Sequence, residues 1–168
     1  DILHKTDVGG VHLNVTSPEA VRDAFDLMIY RAGRYMAGAD IWGCLVQEMV
    51  VGGKEVVACM NRDPHFGPVM MFGLGGIYAE ALQDTACRVA PLDRRTAGEM
   101  VAEILGHNLL RGVRGERRSD LRAVIDVLLR LSQLVADFPE IVEFDINPLV
   151  VFEEGQGAIG IDMRLTLE

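Results

Sequence analysis

Apolar and polar residues alternate at the start of the chain. The apolar side chains of Val11, Leu13 and Val15 alternate with polar ones, which predicts a loop and an extended strand over residues 1–16. Ser17 followed by proline is typical of a helix N-terminus, with the serine as cap. Apolar residues at helical spacing then predict a helix that ends near Gly33.

Short apolar runs separated by glycines predict strands in the middle of the chain. Residues 44–51 and 55–60 are predicted to form a hairpin whose tight turn is Gly52 and Gly53. Residues 68–72 are predicted to form a further apolar strand that leads into glycine-rich sequence, and a short helix is predicted to begin near Ile77.

Two helices are predicted in the second half. Asp93 is expected to cap the first, which carries apolar residues at 3.6-residue spacing and ends at Gly106. A basic, glycine-broken loop follows at residues 111–118, and Ser119 is expected to cap the longest helix. Since strands and helices mix without a strict βαβ order, the predicted fold class is α+β.

The end of the chain carries an unusual row of oxygen-bearing side chains. Residues 141–152 and 158–167 are predicted to be two strands. Side chains alternate along a strand, so Glu143, Asp145 and Asn147 share the face opposite to the apolar residues between them. The second strand is expected to direct four apolar side chains to the core: Ile159, Ile161, Met163 and Leu165.

Pairing of these two strands predicts a cation site. A hairpin that is symmetric about Glu154 and Gly155 places Asn147 directly opposite Asp162. An amide oxygen and a carboxylate that meet in this way suit Mg²⁺, which keeps several waters and takes other ligands from substrate phosphates. The alternative is a solvent-facing polar edge, which is ordinary in antiparallel sheets. Pro148 weakens the predicted register because proline cannot donate to the ladder.

Composition and charge limit the possible functions. The 168 residues, of which 49% are hydrophobic and 24% charged, fit one domain or one domain plus part of another. A net charge of −9 argues against electrostatic binding to nucleic acid or an anionic membrane, but not against a nucleotide. The three cysteines (Cys44, Cys59 and Cys87) lack metal-like spacing and are expected to be reduced structural thiols of a cytoplasmic protein.

A loop near the start carries candidate phosphate ligands. The segment from His4 through Lys5 to Gly9 and Gly10 combines a cation with glycines that let backbone N–H groups approach a phosphate. Its spacing is not that of a Walker loop, and the alternative for His4 is an ordinary surface histidine. The glycine-rich segment at residues 72–76 either binds phosphate at a helix N-terminus or is only a tight turn.

Two glutamates near Gly52 are candidate nucleoside ligands. Across the predicted hairpin, Glu48 can contact an adenine amino group and Glu55 the ribose hydroxyls, and the alternative is that both are surface residues. Arg62 belongs to a predicted turn from which it can reach a phosphate.

Three long segments follow one another along the chain: HKTDVGGVHLNV, VQEMVVGGKEVVACMNRDPHFGPVMMFGLGG, and EFDINPLVV with IDMRL. Together they resemble the ATP-grasp domain of ADP-forming acetyl-CoA synthetases, also called acetate–CoA ligases, and more distantly succinyl-CoA synthetase β-subunits. The resemblance covers essentially the whole chain and implies an ATP-grasp fold whose N-terminal part is truncated. Residues 1–50 would be the remainder of the first lobe and 51–168 the second, with the nucleotide and Mg²⁺ between them.

The resemblance also implies a reaction and partners. Enzymes of this family interconvert acyl-CoA, ADP and phosphate with free acid, CoA and ATP. A phosphohistidine on the CoA-binding and ligase domains, or on a subunit that carries them, passes its phosphoryl group to the ATP-grasp part. There His4 matches a second phosphoryl carrier, a role that imidazole can perform. An oligomeric acid–thiol ligase is expected, with no nucleic-acid or membrane partner.

Carried over residue by residue, the family's Mg²⁺ ligands correspond to Asn147 and Asp162, with Asp145 as a third candidate. The family's ATP-grasp unit begins earlier, with a phosphate-contacting lysine, so this chain alone is expected to be inactive. The alternatives are a regulatory domain of a protein lysine acetyltransferase and a fragment without nucleotide affinity. The ATP or ADP contacts correspond to Lys5, Gly9, Gly10, Gln47, Glu48, Met49, Glu55 and Arg62.

Overall fold

A computed structural model describes residues 8–76 and 84–168. The helix predicted to begin near Ile77 therefore lies outside the described residues, as do His4 and Lys5. The chain divides into two compact units, Asp1–Val51 and Gly52–Glu168. Their assignment to the two ATP-grasp lobes stays a prediction.

The first unit contains the predicted helix. Helix α1 spans Pro18–Tyr35, and the hydroxyl of Ser17 accepts a hydrogen bond from the backbone N–H of Ala20 at 3.1 Å. It continues past Gly33, because a single glycine weakens a helix without ending it. The strands predicted over 1–16 and 44–51 are wrong for the described part of this unit, which contains no strand. An apolar pattern makes a strand only where another strand satisfies its backbone groups.

The second unit is built on one antiparallel sheet. Its strand order is β3-β2-β1-β4-β5, with β6 also paired to β4. The predicted hairpin around Gly52 is therefore wrong, because the neighbours of β1 are β2 and β4. The sequence pattern also missed β3. The strands are β1 (Lys54–Asp63), β2 (Gly67–Leu74), β3 (Thr85–Val89), β4 (Ile141–Val151), β5 (Ala158–Gly160) and β6 (Met163–Leu167).

Three helices of this unit are described: α2 (Arg94–Glu103), α3 (His107–Leu110) and α4 (Leu121–Asp137). Asp93 caps α2 as predicted, since its carboxylate accepts from the backbone N–H of Thr96 at 2.7 Å.

The cap of α4 is Asp120 rather than the predicted Ser119. Ser119 forms an isolated bridge with Glu153, and its N–H donates to the carbonyl of Leu110. Because the serine backbone is held in this pairing, the helix begins one residue later and Asp120 takes the capping position.

The core lies between one face of the sheet and helices α2 and α4, which contact strands β2, β3 and β4. The prediction that the last strand turns its apolar residues inward is wrong: Ile159, Met163 and Leu165 are 44%, 64% and 45% exposed. The reason is their place on β5 and β6 at the sheet edge, where β4 is the single partner strand among the described residues. None of the helices in the described ranges is long and apolar enough to cross a membrane.

Candidate nucleotide and metal site

The register of the last hairpin agrees with the prediction. Leu149 pairs with Gly160, and further along the hairpin the backbone N–H of Asn147 donates to the carbonyl of Asp162 at 3.0 Å. Pro148 is accommodated because only its carbonyl is needed, as the acceptor of a backbone hydrogen bond from the other strand. The predicted opposition of Asn147 and Asp162 is confirmed.

A bulge controls the direction of the Asn147 side chain. The pairing of β1 with β4 shifts between Val56 and Ala58, so that Asn147 and Pro148 together lie opposite Val57. A bulge of this kind re-aims a side chain next to a regular ladder. The side chain of Asn147 is exposed, while the residues on both sides of the bulge keep their apolar side chains buried.

The other two oxygen-bearing residues of β4 have different neighbours. The carboxylate of Glu143 accepts from the guanidinium of Arg164 at 2.7 Å and from the hydroxyl of Thr166 at 3.4 Å. The carboxylate of Asp145 accepts from the thiol of Cys59, with Sγ and Oδ1 2.8 Å apart. Burial, and then the hydrogen bond to Asp145, raise the pKa of the Cys59 thiol far above its ordinary range.

The donor set at Asn147 and Asp162 fits Mg²⁺ as one part of its coordination. One amide oxygen and one carboxylate leave room for waters and substrate phosphates, which this ion prefers to an all-protein cage. Within residues 8–76 and 84–168, no group of three or more His, Cys, Asp or Glu side chains is placed to hold a metal by itself. The ion would therefore depend on the nucleotide phosphates for further ligands.

Glu55 lies against the glycine-rich end of β2. Its carbonyl accepts from the backbone N–H of Gly75 at 2.9 Å. A Cβ at Gly76, where φ is +62°, would lie 2.8 Å from Oε2 of Glu55. Glycine is therefore needed at Gly76 both for its backbone conformation and for the close approach of the carboxylate.

Arg62 donates hydrogen bonds to backbone carbonyls at the C-terminal end of α4. Its Nε donates to the carbonyl of Ile141 at 3.0 Å, and its Nη2 donates to Val135 at 2.8 Å and Phe138 at 3.5 Å. A cation is favourable at a helix C-terminus because it neutralises carbonyls that lack intrahelical partners. These hydrogen bonds give Nε and Nη2 of Arg62 a structural role near the C-terminal end of α4, and its phosphate contact stays a prediction.

The first unit contains an open cavity of about 550 Å³, within the size range of small-molecule sites. Two of the three residues expected beside adenine, Gln47 and Met49, line it, whereas Glu48 does not. All three side chains are exposed.

Of the predicted phosphate ligands in the first loop, the structure describes the two glycines. Gly9 has a φ of +70°, and a Cβ there would lie 2.7 Å from Nη1 of Arg31. Gly10 follows it and is half-buried. His4 and Lys5 lie outside the described residues, so their roles stay predictions.

Sequence reasoning missed two polar residues that organise the last hairpin. The sequence predicts only a structural thiol at Cys59, because its contact with Asp145 follows from the pairing of β1 with β4, which local pattern does not reveal. Asp120 accepts backbone hydrogen bonds from Ala123 at 3.1 Å, Gly155 at 2.9 Å and Gly157 at 3.0 Å. The only available signal was an aspartate directly before an amphipathic helix.

Comparison with known proteins identifies the family of the chain. The family model of the ATP-grasp domain matches residues 1–167. The β subunit of acetate–CoA ligase [ADP-forming] I from Pyrococcus furiosus is 42% identical over 166 residues, which cover 99% of this chain and 71% of that subunit. The chain belongs to the ATP-grasp family of ADP-forming acetate–CoA ligases.

This ATP-grasp domain is also similar to longer proteins. Acetate–CoA ligase [ADP-forming] I of Archaeoglobus fulgidus is 48% identical over 99% of the chain, which spans only 24% of that enzyme. The dinucleotide-forming acetyl-coenzyme A synthetase 1 of Ca. Korarchaeum cryptofilum superposes with a TM-score of 0.94 at 40% identity, over 99% of this chain and 72% of that one. The predicted ATP-grasp fold, mixed α and antiparallel β, is thereby confirmed.

Proposed function

We propose that this ATP-grasp domain binds ADP or ATP with Mg²⁺ and transfers a phosphoryl group between the nucleotide and a phosphohistidine. It would do so as the nucleotide-binding part of an ADP-forming acyl-CoA synthetase. The observation that carries the proposal is the opposition of Asn147 and Asp162 across the last hairpin, in a domain related to these ligases. Two hard oxygen donors at that place suit a metal that is shared with phosphates.

Relatives support the choice of ligands. The Ca. Korarchaeum cryptofilum enzyme has been solved with coenzyme A and Ca-AMPCP. It has also been solved with Mg-AMPPCP and a phosphohistidine segment that points towards the nucleotide binding site. By analogy, the phosphohistidine here would reside on CoA-binding and ligase domains. These belong either to the same chain, as the length of the A. fulgidus enzyme suggests, or to a partner subunit, as the β subunit of P. furiosus suggests.

Each proposed residue has a defined task. The oxygens of Asn147 and Asp162, with Asp145 as a third candidate ligand, would hold the ion, which when bound neutralises phosphate charge. Glu55 accepts hydrogen bonds from the ribose hydroxyls. A ring nitrogen of His4 attacks the phosphoryl group of the incoming phosphohistidine, so one P–N bond forms as the other breaks. A terminal oxygen of ADP then takes the phosphoryl group and the imidazole is released. The remaining contacts are Gln47, Glu48 and Met49 for adenine and Lys5, Gly9 and Gly10 for phosphates.

The decisive experiment measures ATP formation from acyl-CoA, ADP and phosphate by the protein together with its CoA-binding and ligase part. We expect His4→Ala to abolish ATP formation, because no other group would accept the phosphoryl. The control is His65→Ala, which changes a histidine whose side chain is 84% exposed on another loop. Full activity of His4→Ala would remove the relay, and no ATP formation by the parent protein would overturn the proposed function.

The two alternatives gain no support. The relatives named above are ligases, and nothing in their similarity indicates a regulatory domain of a lysine acetyltransferase. Calorimetry with Mg·ADP tests the other alternative, a fragment without nucleotide affinity. Absence of binding heat at millimolar nucleotide would establish that alternative.

A further inference from the structure

Cys59 is the neighbour of one proposed metal ligand. It lies directly opposite Asp145 in the pairing of β1 with β4, and its half-buried thiol is 2.8 Å from Oδ1 of that carboxylate. A protonated thiol is a donor, whereas an ionised carboxylate can only accept, so the hydrogen bond runs from sulfur to oxygen. Cys87, exposed on β3, makes no comparable side-chain hydrogen bond within the described ranges.

The strand on the other side of Asp145, β6, provides no hydrogen bond to its carboxylate among the described residues. Arg164 on β6 lies opposite Asp145 in the ladder, but its guanidinium donates to Glu143 at 2.7 Å. Cys59 is thus the hydrogen-bond partner found for the Asp145 side chain among the described residues. One carboxylate oxygen is held by sulfur, and the other is left for different ligands.

The position of Asp145 connects this contact to the metal site. Asp145 and Asn147 flank Ile146, whose side chain is buried in the core, whereas theirs are not, so both lie on the face of the sheet away from the core. Residues that hold a ligand or its neighbour in one orientation contribute strongly to metal affinity, although they do not touch the ion. The thiol of Cys59 is a weak donor, but it is sufficient here because its role is only to fix the orientation of the Asp145 carboxylate.

We propose that Cys59 is a positioning residue of the nucleotide–metal site, whose thiol orients the carboxylate of Asp145 toward the ion. Asp145 then acts through the oxygen that the thiol does not hold. This inference rests on the proposed function, since it requires a metal nucleotide on this face of the sheet.

The first test compares metal binding in three variants of the protein with its companion domains. Mn²⁺ replaces Mg²⁺, and its binding in the presence of ADP is followed by electron paramagnetic resonance. Cys59→Ala is expected to weaken Mn²⁺ binding about ten-fold, the effect typical of a lost outer partner. Cys59→Ser keeps a donor and should restore most of the affinity, while Cys87→Ala should leave it unchanged. The affinity for metal-free ADP, which a general loss of structure would lower, should be the same in all of them.

The second test needs neither metal nor turnover. The S–H stretching band of Cys59, identified by its absence in Cys59→Ala, should lie at lower frequency than that of Cys87. It should move to higher frequency in Asp145→Ala.

The outcomes separate the two proposals. If the S–H stretching frequency of Cys59 is unchanged in Asp145→Ala, the hydrogen bond between the two side chains is overturned, and the positioning role with it. If that frequency changes in Asp145→Ala but Cys59→Ala binds Mn²⁺ as tightly as the parent, the contact is purely structural. The positioning role is then overturned, while the proposed function stands. Failure of the parent protein to bind Mn²⁺ with ADP overturns both.

Discussion

Replacing Asp120 by alanine tests whether one buried carboxylate holds the last hairpin in place. Its side chain is 7% exposed, and it connects the N-terminus of α4 to the turn between β4 and β5. Oδ1 accepts from Ala123, and Oδ2 accepts from Gly155 and Gly157. Because this turn determines the register that carries Asn147, the substitution affects both stability and the candidate site.

The expected magnitude follows from the three lost hydrogen bonds. Loss of an aspartate N-cap costs about 1 kcal/mol. Each of the two glycine N–H groups loses a charged acceptor, which costs roughly 1 kcal/mol after water partly replaces it. The free energy of unfolding should therefore fall by about 3 kcal/mol, and for a chain of this length the melting temperature should fall by roughly 6–12 °C.

The loss should also depend on pH. The hydrogen bond from Ala123, followed by those from Gly157 and Gly155, holds the pKa of Asp120 below its ordinary value of 3.8. A lowered folded-state pKa means that the stabilisation is fully present above the unfolded value and is lost as the pH falls through the folded value. The stability difference between parent and variant should be constant from neutral pH to about pH 5 and shrink below 3.8.

Urea unfolding followed by circular dichroism, at neutral pH and in a series toward pH 3, measures both effects. Asp93→Ala is the matched control, because Asp93 caps α2 through one hydrogen bond to Thr96 and lies at the surface. It should lose less stability than Asp120→Ala. The reasoning is refuted if the two variants lose the same amount, or if the deficit of Asp120→Ala at pH 3 equals that at neutral pH.

Two further substitutions separate structural from binding roles. Arg62→Ala should lower the free energy of unfolding by about 2 kcal/mol through lost carbonyl contacts, with Mg·ADP affinity unchanged in calorimetry if the role of Arg62 is structural alone; a selective loss of affinity would support Arg62 as a phosphate contact. Gly76→Ala should displace the carboxylate of Glu55 and weaken Mg·ADP binding more than Gly115→Ala, which has a similarly positive φ but nothing within 4 Å of its new Cβ. Equal effects of the two glycine variants would argue against Glu55 as a ribose ligand.

Local signals were sufficient for several elements. Ser17 with Pro18, and Asp93 before its apolar stripe, identified two helix starts because a cap acts within one turn. The register of Asn147 against Asp162 was also accessible, since a short hairpin has its pairing fixed by its own turn.

Non-local pairing was not accessible to the sequence pattern. Residues 44–51 look like a strand, but the partners of β1 are β2 and the distant strand β4, which begins at Ile141. The displacement of the α4 cap from Ser119 to Asp120 has the same origin, because it depends on a bridge to Glu153 in a distant turn. In both cases the structure is determined by a contact between segments that are distant in sequence, and such a contact leaves no trace in local periodicity.

The oxygen-bearing residues of β4 show why this matters for function. By alternation alone Glu143, Asp145 and Asn147 occupy equivalent positions, and each offers an oxygen to a cation. The neighbouring strands remove the equivalence: Arg164 engages the first, Cys59 holds one oxygen of the second, and a bulge exposes the third. The adjacent strands therefore decide which oxygens on this face have protein partners, and alternation along β4 does not reveal those partners.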